Sequence, residues 1–145
     1  MTKIIRIAVG SLIAAGLAFA SANAAEHKLK AVLDAASEVP ANTSTGKGMA
    51  ELTLNDATKE ISWKITYEGL TDKAVAAHIH GPAAAGANAG VVTSLGPMGA
   101  PIASPLEGKA TLTDAQIADI LAGNTYVNVH TVANKGGEIR GQIGE

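Results

Sequence analysis

The chain has 145 residues, no cysteine, and a formal net charge of −2 with histidine neutral. That length supports one domain with a real core, and a mildly acidic chain without a basic run is a poor partner for nucleic acid. Disulfide staples are excluded, and with aromatics at 3% of residues there are too few rings for a platform that stacks bases or sugars.

The first 24 residues read as a secretory signal peptide. Lys3 and Arg6 form a basic start, residues 7–20 are apolar and uncharged, and Ala22-Asn23-Ala24 is a small-x-small cleavage site. The apolar run is shorter than the roughly 20 residues a spanning helix needs. The expected mature chain is therefore a single domain over residues 25–145, periplasmic or secreted, with no membrane attachment after cleavage. Eleven basic residues less Lys3 and Arg6 leave nine against thirteen acidic ones, a mature net charge of −4.

From residue 28 onward the pattern is mostly that of strands. Leu29, Ala31 and Leu33 alternate over residues 28–35, residues 37–48 have loop composition, and residues 49–54 alternate again. The clearest strand follows, with Ile61, Trp63, Ile65 and Tyr67 on one face and Glu60, Ser62, Lys64, Thr66 and Glu68 on the other. After a turn at residues 69–72, Val75, Ala77 and Ile79 form the inward set of the next strand. Residues 81–90, rich in Gly and Ala without hydrophobic periodicity, read as a flexible loop. Residues 91–95 and 108–112 are short strand candidates, with a proline-bearing loop between them.

One segment is helical. Thr113-Asp114-Ala115-Gln116 is a capping box, Ile117, Ile120 and Leu121 form an apolar stripe, and Gly123 ends it. Two last strands follow, over residues 125–132 and 138–143. Val127, Val129, Ile139 and Ile143 face inward, while Tyr126, Asn128, His130, Glu138, Arg140 and Gln142 face outward. Seven or eight short strands and one small helix predict an all-β fold, a Greek-key antiparallel β-sandwich.

The chemistry concentrates in Ala77-His78-Ile79-His80-Gly81-Pro82. Alternation on a strand puts His78 and His80 on one face, about 6–7 Å apart at Cα, and Gly81-Pro82 ends the strand. His130 lies on an outward face of a later strand, and a third imidazole would complete a metal site of the kind that suits copper, zinc, iron or nickel. Structural histidines bonded to loop backbone are the alternative. Tyr126 and Asn128 are candidate outer-shell partners of His130. Glu138 is a candidate ligand or orienting acceptor, with a Glu138–Arg140 surface pair or a structural Arg140 under a loop as the plainer reading. A second candidate site is the mature N-terminus, Ala25-Glu26-His27, whose amine, two amides and imidazole match the tetragonal preference of copper(II) or nickel(II).

The segments AHIHGPAAAGANAGVV, TLTDAQIADILAGNTYVNVHT and GEIRGQI, with Ser37-Glu38-Val39-Pro40 upstream, resemble the CHRD domain, the module repeated in chordin. The chain departs from the usual pattern at Asn88-Ala89-Gly90 and at Ala133-Asn134-Lys135, both in loops. The resemblance implies an exported single-domain protein and leaves its activity undefined. The H-x-H strand with a later strand ending in His is also similar to the copper–zinc superoxide dismutase sandwich, a likeness of fold that would set His78, His80 and His130 around one metal. Dismutase sites use further histidines, an Asp and a disulfide, and this chain has neither the cysteines nor the extra histidines. Three functions follow as expectations, in order: an exported metal binder with copper favoured over zinc, a non-catalytic module that binds an extracellular or periplasmic protein, and a dismutase-like redox enzyme. No nucleophile beside a base and no pair of catalytic carboxylates supports an enzyme.

Overall fold

The computed structural model describes residues 25–145; residues 1–24, expected to be a signal peptide, lie outside the described residues. Eight strands and one helix run in the order β1 (Glu26–Asp34), β2 (Lys47–Asn55), β3 (Glu60–Glu68), β4 (Ala74–His80), β5 (Val91–Ser94), β6 (Leu106–Thr111), α1 (Asp114–Leu121), β7 (Tyr126–Thr131) and β8 (Ile139–Gln142). Every strand pairing is antiparallel, in the spatial order β5-β4-β7-β8-β1-β2-β3-β6. The strands thus form one sheet that curls until it is nearly closed, the all-β fold expected.

Alternation drives the curl. Leu29, Ala31 and Leu33 of β1, Ala50, Leu52 and Leu54 of β2, Ile61, Trp63 and Ile65 of β3, and Val127 and Val129 of β7 share one core. A sheet wrapped on itself removes all of these inner side chains from water at once. The seam between its two ends is bridged by side chains. Trp63 Nε1–H donates to the Leu95 carbonyl at 3.0 Å, and the Tyr67 hydroxyl donates to the Ile102 carbonyl at 2.8 Å. Leu95 N and Ile102 N in turn donate to the carbonyls of Ala77 and Ala74 on β4.

The helix forms where its capping box predicts, with the Thr113 hydroxyl accepting from Gln116 N and the Gln116 side chain accepting from Thr113 N. Gly123 follows with φ +73°, the left-handed conformation a helix end needs.

The inner face of β4 differs from the expected one. Its pairing with β7 shifts between Ala74 and Ala76, a bulge that turns Ala74 inward and leaves Val75 half-buried. Beyond the bulge Ala77 and Ile79 face the core, so His78 and His80 emerge together on the outer face. The outer face of β7 is not open surface: Tyr126 and Asn128 are buried, and so is Arg140 on β8.

For Tyr126 and Arg140 the cause is the 81–90 loop, which is strapped down rather than free, while Asn128 is covered by Glu38. Arg140 Nη1 donates to Asn88 Oδ1 at 3.0 Å and its Nη2 donates to the Ala87 carbonyl. Gln142 Nε2 donates to the Ala83 carbonyl, Asn88 Nδ2 to that of Val39, and Ala83 N to that of Asn124. The loop's composition predicts mobility because it carries no hydrophobic anchor of its own. Its anchors are polar side chains on distant strands.

Candidate metal centre

β4 and β7 are neighbours in register, with His78 opposite Asn128, His80 opposite Tyr126, and Ala76 opposite His130. Antiparallel pairing therefore brings His130 diagonally beside His78 on the same outer face. One ring nitrogen from each of His78, His80 and His130 lies within 4.8 Å of the other two. The ring centroids are 5.0 Å apart for His78–His130, 5.5 Å for His78–His80 and 5.9 Å for His80–His130. The three candidate ligands are thus brought together, all half-buried.

Backbone carbonyls set which nitrogens are free. His80 Nδ1 faces the Ala89 carbonyl at 3.0 Å and His130 Nδ1 faces the Lys135 carbonyl at 2.9 Å. A carbonyl only accepts, so each Nδ1 carries the proton and each Nε2 holds the lone pair. His80 Nε2 is buried and has no hydrogen-bond partner. His130 Nε2 lies 3.1 Å from His78 Nδ1, which donates to it. Rotating that proton to Nε2 would give the set His78 Nδ1, His80 Nε2 and His130 Nε2. The orphaned lone pair on His80 fits a metal ion, because an unpartnered buried acceptor otherwise costs about 1–3 kcal/mol.

The rings are neutral in neutral solution. Burial holds the pKa of all three below the ordinary imidazole value, taking His78 to about 4, where His130 and His80 add repulsion. For His80 a carbonyl bond opposes the shift and the Arg140 charge reinforces it. Neutral imidazole is the ligating form, so no proton has to be displaced at pH 7.

Two residues outside the triad fix its shape. Tyr126 stacks on His80 with centroids 5.0 Å apart and planes 6° from parallel, and its hydroxyl oxygen accepts from Ala89 N at 3.2 Å. Tyr126 and His80 therefore hold the two polar ends of the same residue, Ala89. Arg140 places its Cζ 3.4 Å from the Tyr126 ring centroid. Of the two plainer readings of Arg140, the structural arginine under a loop is the one found. Its support of Tyr126 went unread from the sequence, although it is the only arginine after residue 24 and faces outward beside that tyrosine.

The other candidate residues sit elsewhere. Asn128 lies opposite His78, but its Nδ2 donates to Glu38 Oε1. Burial pushes the Glu38 carboxyl up to about 7 against the opposing pull of Arg140 and Asn128. Glu138 is no partner of the imidazoles. Its buried carboxylate accepts from Ser44 Oγ, Thr71 N and Oγ1, Thr131 Oγ1 and Asn134 Nδ2. It precedes β8, where the chain has turned it into the closed end of the sheet to tie three loops together.

The N-terminal trio is separate from the histidine cluster. Glu26 and His27 pair with Asn55 and Leu54 in the β1–β2 ladder, and Ala25 N donates to Asp56 Oδ1 at 2.9 Å. His27 Nε2 stands 3.7 Å from Asp56 Oδ2. A chelate of amine, two amides and imidazole would have to peel residues 25–27 from β2. A wider cleft of about 630 Å³ between Val32, Met49 and Tyr67 contains none of the histidines.

No curated protein and no solved structure matches the chain. The family model of the CHRD domain matches residues 29–143, from the first core residue of β1 to the last inward residue after β8. With its three strand histidines, its capped helix and its strapped loop inside that span, the chain belongs to the CHRD domain family.

Proposed function

We propose that this CHRD domain is an exported protein that binds one metal ion through His78, His80 and His130, with copper favoured over zinc. The observation that carries the reading is the buried Nε2 of His80, which has no partner and belongs to a cluster of three neutral imidazoles. Two of the rings are held at Nδ1 by backbone carbonyls, which leaves the His80 Nε2 lone pair without a partner and that of His130 accepting only from His78 Nδ1. The ion would supply Lewis acidity or a redox couple; the chain's own contribution is to hold three nitrogens and cover them with the 81–90 loop. The signal-like composition of residues 1–24 supports a periplasmic or extracellular setting, where the mildly acidic domain would meet the ion. No catalytic role is assigned to any residue.

A second reading has one observation in its favour. The His78–His130 hydrogen bond at 3.1 Å lets those two rings satisfy each other without metal, as structural histidines of a protein-binding module would. Metal analysis separates the two. Processed protein, loaded with copper or zinc and freed of excess by gel filtration, should carry one ion per chain. His80→Ala should carry none and keep its circular dichroism spectrum. A parent protein that retains no metal would leave the protein-binding reading, and an undiminished His80→Ala would remove His80 from the site.

A further inference from the structure

We infer that the three-histidine site selects copper(I) over copper(II) and zinc(II). The inference rests on the metal reading above and specifies the charge of the ion that the site takes.

Charge is the first ground. All three ligands are neutral, and no carboxylate oxygen joins the cluster among the described residues. A dication in this half-buried face would have no anionic side chain among its ligands to offset its charge. Arg140 makes this worse. β7 lies between β4 and β8, so His80 and Arg140 approach Tyr126 from opposite sides. The guanidinium carbon is 3.4 Å from the centroid of a ring that is itself 5.0 Å from that of His80.

That guanidinium is not neutralised locally. Its hydrogen-bond acceptors are the neutral Asn88 Oδ1 and Ala87 carbonyl, and among the described residues no carboxylate forms an ion pair with it within 4.0 Å. Glu38 is the acid that acts on it at longer range, and its carboxyl, raised to about 7, carries only part of a negative charge at neutral pH. With the guanidinium 3.4 Å from the Tyr126 centroid and that ring 5.0 Å from His80, a second unit of charge on an ion held by His80 is disfavoured by on the order of tenfold at an effective dielectric of about 20.

Geometry is the second ground. Copper(II) favours a tetragonal plane of four donors, and zinc held by three side chains keeps its tetrahedron only by binding a water as well. Here two adjacent strands offer three nitrogens from rings tilted 52–85° to one another, with no fourth side-chain ligand in the cluster among the described residues. A closed-shell monocation accepts three-coordination without loss. Soft sulfur ligands usually secure copper(I); in this site low charge and low coordination number take their place.

The test measures three dissociation constants on the processed protein. Copper(I) is titrated anaerobically against a chromophoric copper(I) chelator, and copper(II) and zinc(II) against chelators of known affinity. The expected copper(I) Kd is at least about a hundredfold below the copper(II) Kd. Arg140→Gln should shrink that ratio about tenfold, and Arg140→Lys should shrink it less. If Arg140→Gln does not fold, the ratio in the parent still decides. Copper(II) or zinc(II) binding as tightly as copper(I) overturns the selectivity and leaves the metal site standing. An unchanged ratio in folded Arg140→Gln overturns the part given to the guanidinium. Failure of all three ions to bind overturns the metal reading itself.

Discussion

Tyr126 lies flat against His80, its plane within 6° of the imidazole, while its hydroxyl oxygen holds the amide of the residue whose carbonyl holds His80 Nδ1. One tyrosine thus fixes both the tilt of the ring and the carbonyl that sets its tautomer. Tyr126→Phe keeps the stack and loses one hydrogen bond, so it should cost about 1 kcal/mol of stability and lower copper affinity less than tenfold. Tyr126→Ala empties a buried ring site and should cost about 3 kcal/mol or more, with a larger loss of affinity. Urea denaturation and metal titration on both variants measure the two effects.

Glu138 should behave as a structural acid with an acid limb. Burial alone would raise its pKa, but bonds from Ser44, Thr131 and Thr71 outweigh it and hold the group at about 2. Its stabilisation is present above the ordinary value of 4.5 and is lost as pH falls toward 2. Glu138→Gln leaves three loops tied by a neutral acceptor and should cost on the order of 3 kcal/mol at pH 7. The difference in unfolding free energy between parent and variant should shrink between pH 5 and pH 2, read by denaturation at each pH.

Glu38 should show the opposite sign. Burial raises its pKa to about 7 in the fold, so the folded state holds a proton that the unfolded chain has released. Stability therefore declines as pH rises from about 4.5 through 7. Glu38→Gln removes that slope, and the stability of the variant relative to the parent should improve from pH 5 to pH 8. A relative stability that is flat with pH would mean that the folded carboxyl titrates normally.

Gly141 should tolerate no side chain. A Cβ there would stand 2.0 Å from the Val32 carbonyl oxygen, where β8 meets β1. That contact is backbone and cannot rotate away, so Gly141→Ala should destabilise by several kcal/mol and lower the melting temperature measured by circular dichroism.

Period-two alternation made β1, β2, β3 and β7 legible, since Leu29, Leu52, Trp63 and Val127 sit in the core where that alternation puts them. The helix was legible from Thr113 and Gln116. The bulge at Ala74–Ala76 was not, because Val75 is as apolar as its neighbours and pattern alone cannot count an extra residue. The closeness of His78 and His80 follows from their spacing, but His130 joins them only through the β4–β7 pairing, which is a matter of topology. The burial of Arg140 and Asn128 escaped for a related reason: polar residues on an outward face look solvated until the distant segments that cover them are known, Asn88 at 52 residues from Arg140 and Glu38 at 90 residues from Asn128. Glu138 was misplaced by extending strand alternation one residue beyond the start of β8.

The central claim is that three imidazoles share one ion. X-ray absorption at the copper edge, on processed protein loaded with one equivalent and cleared of excess, tests it most directly. The account predicts a shell of three nitrogens at about 2 Å with the multiple scattering of three imidazoles, and loss of one imidazole in each of His78→Ala, His80→Ala and His130→Ala. A spectrum with one imidazole, or one that the three substitutions leave unchanged, would contradict it.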